Sequence, residues 1–304
     1  MQEVGVVGTG TMGSRMVVRL LDAGHPVAVH DVRRDAARAL EERGATFVDS
    51  LDALADRCRI VLSSLPGPSQ VDDVHVDSAG LLAGARAGDV HVGLSTVSVD
   101  CARRAAKSAE ARGVHYVDAP VSGGPMGVEA GTLSIMAAGD ADAIARVAPV
   151  LQAFSSRIFD LGREAGAGTL AKLVNNAIFL CSGLVHQEAV VLAERAGMDP
   201  AVLDEVLAAS SASIFLGLAG PTLSRNWDSQ LFTLGLAEKD VALALESARS
   251  LAVPMPVVNA AHQHYLRGVA AGLADKVCFA TLAVIEQAAG VTVPARAPRT
   301  PPSS

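Results

Sequence analysis

Between an apolar run at residues 3–7 and a helical pattern at 11–23 stands Gly8-Thr9-Gly10-Thr11-Met12-Gly13. No other feature restricts this chain as much. Gly8 permits a tight turn, Gly10 lets the backbone approach a pyrophosphate, and Gly13 lets a helix pack closely on its strand. The helix start adds unpaired N–H groups and a partial positive charge, both suited to an anion. A strand, a glycine loop and a helix in that order imply a βαβ unit and a parallel sheet.

The pattern repeats downstream. Gly24 and Pro26 stop the first helix, and Val27-Ala28-Val29-His30 is a second strand ending at Asp31. A helix over about 35–43 stops at Gly44. Apolar runs at 60–64, 90–94 and 114–117 read as further strands, with a helix over 98–111. Residues 133–138 and 158–161 read as two more strands around a helix at 141–152. Strands alternating with helices predict a doubly wound, mostly parallel α/β sheet of Rossmann type.

The rhythm changes after residue 163. From Gly166 to Ala196 there is no proline, and apolar positions recur at helical spacing. A helix of that length is about 45 Å long, long enough to join two domains. Only helices follow, at about 200–209, 235–252, 257–270 and 276–289. The expected organisation is a dinucleotide-binding domain over 1–163, joined by the long helix to an all-α domain over 164–295. The tail at 296–304, rich in Pro and Ser, is expected to be disordered.

With 304 residues, half of them hydrophobic, the chain can bury a large core. A formal charge of −7 argues against nucleic acid and anionic membrane surfaces as partners. No run of about 18 uninterrupted apolar residues suggests a transmembrane helix. Nor does Met1-Gln2-Glu3 resemble a signal-peptide start, so a cytoplasmic location is expected. Cys58, Cys101, Cys181 and Cys278 lack metal-binding spacing and read as buried free thiols. His25, His30, His91 and His115 fall at strand edges or ends and read as structural. His262 and His264 point to different sides of a helix, so no metal site is expected. Trp227 reads mainly as a packing residue.

Three segments carry candidate chemistry. Asp31, 18 residues after Gly13, can accept the hydroxyls of an adenosine ribose, which favours NAD. Arg33 and Arg34 keep NADP possible, since a guanidinium can pair with a 2′-phosphate. Asp118-Ala119-Pro120-Val121-Ser122-Gly123-Gly124 follows a strand and ends in a loop whose hydroxyl and N–H groups suit a carboxylate; a plain turn would use the same residues. Gly168-Thr169-Leu170-Ala171-Lys172-Leu173-Val174-Asn175-Asn176 lies on the long helix. There Lys172 and Asn176 are i, i+4 and share a face, with Asn175 beside them. Apolar surroundings would lower the lysine's pKa and suit it to proton transfer.

These segments, with Lys239-Asp240-Val241-Ala242-Leu243-Ala244, resemble the β-hydroxyacid dehydrogenase family over about residues 3–290. The resemblance implies reversible hydride transfer between a nicotinamide cofactor and a 3-hydroxy acid or its semialdehyde. It implies that Ser122, Gly123, Gly124 and Asn175 hold substrate, that Lys172 is the general acid/base, and that Asn176 orients the reacting oxygen. Lys239 would reach toward substrate and nicotinamide. Gly8, Thr9, Gly10, Thr11, Met12, Gly13, Asp31, Arg33, Leu65, Pro66 and Thr96 would line the cofactor. NADP-using relatives often carry Asn-Arg where Asp31-Val32 stands here, which again favours NAD. A homodimer or homotetramer is the family expectation. Alternatives on the same plan are an imine reductase, a tartronate or succinic semialdehyde reductase, and a non-catalytic dinucleotide-binding module. Substrate selection is expected from residues 213–234.

Overall fold

The computed structural model describes residues 2–212, 222–229 and 232–295. The tail at 296–304 and most of the front of 213–234 therefore lie outside the described residues. The chain divides into two compact units, Met1–Leu173 and Val174–Ser304. That division falls inside the long helix, ten residues beyond the boundary read from the change of rhythm.

In the first unit, six strands form one parallel sheet in the order β3-β2-β1-β4-β5-β6. They are β1 (Val4–Val7), β2 (Val27–His30), β3 (Thr46–Phe47), β4 (Ile60–Ser63), β5 (Val90–Gly93) and β6 (His115–Asp118). This is the dinucleotide-binding order, whose crevice opens where the winding reverses between β1 and β4. Side chains alternate across the sheet. Val4 and Val6 of β1 join a core with Met16, Val17 and Leu20 of α1 (Gly13–Asp22). Val7 faces the other way, onto Leu54, Ala55 and Val61. Helices therefore cover both faces, which explains why the central strands are apolar throughout.

Several short elements escape the sequence reading. β3 has two residues, and the predicted helix over 35–43 is a 3₁₀ turn at Arg34–Ala37 followed by α2 (Arg38–Glu41). α3 (Leu51–Arg57) and α4 (Pro68–His75) are too short for a clear apolar period. α5 (Val99–Glu110) is capped by Ser98, whose Oγ accepts from the Cys101 N–H. The strands predicted at 133–138 and 158–161 do not extend the main sheet. β7 (Val121–Ser122), β8 (Leu133–Ala137) and β9 (Ser155–Asp160) make a second sheet, antiparallel at β7/β8 and parallel at β8/β9. The helices between them are α6 (Gly124–Ala130) and α7 (Ala141–Leu151).

α8 (Ala167–Arg195) begins in the first unit and continues through the second. It is long and apolar enough to cross a membrane, yet over half of its most apolar stretch is buried within the protein, as in a core helix. The second unit adds α9 (Pro200–Ala208), α10 (Leu234–Ser250), α11 (Pro256–Ala270) and α12 (Leu282–Ala289). The predicted helix at 276–289 starts as a 3₁₀ turn at Cys278–Thr281. The core here gathers Leu180, Leu184, Val241, Tyr265 and Phe279, with Trp227 packed against it. Arg225 stacks over Trp227 and pairs with Glu286 at 2.6 Å, so this segment is an anchored loop.

All four cysteines are free, and burial pushes the thiols of Cys58, Cys101 and Cys278 up to about 12. Such thiols are inert at neutral pH. His91 is not at a strand end. It lies inside β5, fully buried, in a cluster with His75 and Tyr116.

Candidate active site

The first glycine loop is built as its spacing predicts. Gly8 has φ +87°, and a Cβ there would stand 2.3 Å from Ser64 O. A Cβ on Gly13 would stand 1.9 Å from Gly8 O. A side chain at either position forces the backbone apart. Gly10 differs, because a Cβ there would meet no atom within 4 Å. The open space above Gly10, at the start of α1, suits a pyrophosphate lying against the backbone. Thr11 is exposed and Met12 is packed against the core beneath.

Asp31 ends β2 and turns its carboxylate to the loop. Its Oδ2 accepts from Thr9 N at 2.7 Å and Thr9 Oγ1 at 3.0 Å, and its Oδ1 accepts from Arg33 N at 2.9 Å. Burial raises its pKa, but the bonds from Thr9 and Arg33 outweigh burial and hold it below the usual carboxylate value. A carboxylate has about four acceptor positions. Three are engaged, which leaves one on Oδ1 for a ribose hydroxyl. The two arginines behave differently. Arg33 is exposed, with Nε 4.0 Å from Asp31 Oδ1. Arg34 is committed, paired with Glu41 at 2.5 and 2.9 Å and stacked over Phe47.

The turns after β4 and β5 are joined to each other, since Leu65 N donates to Ser95 Oγ at 2.8 Å. Pro66 is exposed and Thr96 half-buried, so both turns present surface at the carboxyl ends of the central strands.

Ser122 pairs through β7 with Ser134 of β8. Gly123 (φ +126°) and Gly124 (φ +63°) follow, both exposed. Glycine takes those angles at low cost, and an exposed turn of this kind can present backbone N–H groups to an anion.

The strand preceding that loop ends in a residue whose role the sequence did not disclose. Asp118 is 1% exposed, and its carboxylate accepts from Gly166 N (2.9 Å), Thr169 N (2.8 Å) and Thr169 Oγ1 (2.7 Å). It caps α8 from 48 to 51 residues away. Burial outweighs these bonds and one from Gly168 N, so its pKa is raised above the usual carboxylate value. A Cβ on Gly168 would stand 2.2 Å from Met136 O and 2.6 Å from Asp118 O. Gly168 and Thr169 therefore exist to seat the helix start on β6 and β8. Lys172 follows one turn later, half-buried.

Further along α8, in the second unit, Asn176 is buried and its Nδ2 donates to Asp240 Oδ2 at 2.6 Å. Asn175 Nδ2 donates to Asn176 Oδ1 at 3.0 Å. Lys239 Nζ lies 2.9 Å from Asp240 Oδ1, an ion pair without hydrogen-bond alignment. Asp240 thus joins both asparagines to Lys239. It lies in the Lys239-Asp240-Val241-Ala242-Leu243-Ala244 segment, but periodicity alone marks it only as a buried helix position.

The chain matches two family models. One is the NAD-binding domain of 6-phosphogluconate dehydrogenase, over residues 3–162. The other is the NAD-binding domain of NADP-dependent 3-hydroxyisobutyrate dehydrogenase, over 166–285. A 2-(hydroxymethyl)glutarate dehydrogenase of Eubacterium barkeri is 34% identical, covering 96% of this chain and 97% of its own. A 3-hydroxyisobutyrate dehydrogenase of Pseudomonas aeruginosa is 36% identical, covering 84% and 89%. The solved Mycobacterium tuberculosis 3-hydroxyisobutyrate dehydrogenase with L-serine superposes with TM-score 0.85 at 29% identity, covering 94% and 99%. Matches of this extent place the protein in the β-hydroxyacid dehydrogenase family, with an NAD(P)-binding fold.

Proposed function

We propose that this protein is an NAD(P)-dependent dehydrogenase of small 3-hydroxy acids, working reversibly on the matching semialdehydes. The observation that carries this reading is the seating of α8. One buried carboxylate joins the strand leading to Ser122-Gly123-Gly124 to the helix turn that precedes Lys172. A bound nicotinamide supplies the hydride acceptor in oxidation and the donor in reduction.

The chain's own residues do the rest. Gly8, Gly10 and Gly13 shape the phosphate cradle, and Asp31 takes a ribose hydroxyl on its remaining Oδ1 position. Ser122 and the N–H groups at Gly123 and Gly124 hold the substrate carboxylate. Lys172 Nζ, unprotonated, takes the hydroxyl proton during oxidation and returns it during reduction. Within the second unit Asp240 and Asn175 fix Asn176, and Lys239 adds positive charge beside them. An imine reductase or a non-catalytic module has no use for a carboxylate nest together with a seated lysine. A panel of 3-hydroxy acids with both cofactors, read as NAD(P)H absorbance, tests the reading. No reduction with any of them refutes it.

NAD is the preferred cofactor on this reading, because an ionised Asp31 repels a 2′-phosphate. Replacing Asp31 with Asn is expected to shift the NAD/NADP affinity ratio toward NADP by about tenfold, as expected for loss of one charge–charge repulsion. Fluorescence titration with both cofactors checks it, and an unchanged ratio means that the ribose is read elsewhere.

We also propose a cytoplasmic homodimer or homotetramer. Val174, Ile178, Val185 and Leu192 are exposed along α8, spaced by four, seven and seven residues. That spacing makes one apolar seam, suited to a helix of a second copy. Ile178→Glu combined with Val185→Glu should reduce the assembly mass measured by light scattering. The four unlinked cysteines fit a reducing compartment.

A further inference from the structure

Asp118 touches neither end of the reaction just described, yet both of its functional segments depend on it. Through its backbone it pairs with Ala138, donating N–H at 2.9 Å and accepting at 2.8 Å. This clamps the end of β6 to the end of β8, the strand that also holds Ser122 through Ser134. Through its side chain it holds the start of α8. Oδ2 accepts from the two backbone N–H groups of Gly166 and Thr169, while Oδ1 meets the Thr169 hydroxyl, so both carboxylate oxygens are committed to the helix start. Gly168 removes the remaining slack, because the helix backbone already lies against Met136 O and Asp118 O. Thr169 contributes both N–H and hydroxyl, so α8 can neither rise from the sheet nor rotate without losing a bond.

Thr169 and Lys172 are i, i+3 and leave the helix on the same side. Side chains on a helix tilt toward its N-terminus, so the lysine stem leans back over the turn that Asp118 holds. The rotation of that turn sets where Nζ lies. We propose that Asp118, acting through Thr169, is a positioning residue for Lys172, fixing its amine in one frame with the Ser122-Gly123-Gly124 loop. The inference rests on the proposed dehydrogenase reading and deepens it, giving Asp118 and Thr169 a part in the chemistry beyond seating α8.

The test is a double-mutant cycle in the full-length protein. Thr169→Val removes one hydroxyl and keeps the shape, and Thr169→Ser restores it. Thr169→Ala serves if the valine variant does not fold. Small displacements of a reacting group cost up to about 100-fold in rate. Expected is a loss of about tenfold or more in kcat for Thr169→Val, with the Kd for NAD(P) within about twofold and near-complete recovery in Thr169→Ser. On a Lys172→Ala background the same change should have no further effect on kcat, because the group it positions is gone. Hydrogen exchange at the Gly166 and Thr169 amides, followed without cofactor, should accelerate about tenfold in Thr169→Val.

An unchanged kcat despite faster exchange overturns the proposal, as does an equal loss on both backgrounds; either makes the contact a helix anchor only. Full turnover by Lys172→Ala alone overturns the assignment of the general base, and the positioning role with it. That outcome is separable, because it appears before any change at Thr169 is introduced.

Discussion

Replacing Lys172 with alanine is expected to lower turnover by about two to four orders of magnitude, the range for loss of a positioned general acid/base. Cofactor affinity should stay within about a factor of two, since the groups that shape the dinucleotide cradle, from Gly8 to Asp31, are untouched. The physical reason is the mismatch between a hydroxyl proton and bulk water as its acceptor at neutral pH. On the proposed reading, half-buried Lys172 at the start of α8 supplies the acceptor. Steady-state rates with NAD and a 3-hydroxy acid, alongside fluorescence titration of NAD, separate the two effects. Equal turnover in the variant removes Lys172 from the mechanism. A large fall in NAD affinity would show that the substitution disturbs the fold of the first unit.

Acid should destabilise the first unit through two buried histidines. His75 Nε2 lies 2.8 Å from Ser63 Oγ, its ring centroid is 5.7 Å from that of His91, and the Tyr116 ring meets it edge-on. Burial, with the neighbouring His91 adding to it, pushes the His75 pKa down to about 3. Burial alone pushes His91 down to about 4. Above pH 6.5 both rings are neutral in folded and unfolded chain alike, and they contribute nothing to the pH dependence. Below it the unfolded chain binds two protons that the folded chain refuses, so stability falls as pH falls. The fall continues until the folded values are reached.

Each histidine costs about 1.4 kcal/mol per pH unit, so at pH 5 the pair costs about 4 kcal/mol. That is a large share of a typical domain's stability of about 5–15 kcal/mol. Urea unfolding between pH 7 and pH 4.5 measures the slope. Among the described residues neither ring nitrogen of His91 has a hydrogen-bond partner. His91→Leu therefore orphans nothing and should flatten the slope by one proton. An identical slope in that variant assigns the acid sensitivity to carboxylates.

The parts legible in the sequence share one property, which is that their physics is local. The step from β1 through the glycine loop into α1 is written in consecutive residues, as are the positive φ at Gly8 and the exposed Gly123-Gly124 turn. The end of β2 at Asp31 and the span of α8 follow from apolar period and stop residues, within a residue or two. β3, α3 and α4 were not legible, because two to eight residues carry too little period to register. His75 escaped notice because a histidine late in a short helix looks solvated until its neighbours are known.

The functional segments were recognisable as segments, but their connections were not. Asp118 and Thr169 are 51 residues apart, and Asn176 and Asp240 are 64 apart. Nothing in local spacing announces that a strand-end carboxylate will cap a helix half a domain away, or that a lysine and an amide will share one buried aspartate. By itself the amino-acid order determined the alternating winding of the sheet and the glycine loop at its first turn, while the resemblance of its segment singled out Lys172. The winding and the loop depend on periodicity and on backbone angles that only certain residues adopt. Folding decided which carboxylates are spent on structure and which retain an acceptor for a ligand. That choice depends on burial and on donors brought together over long separations, which no linear pattern encodes.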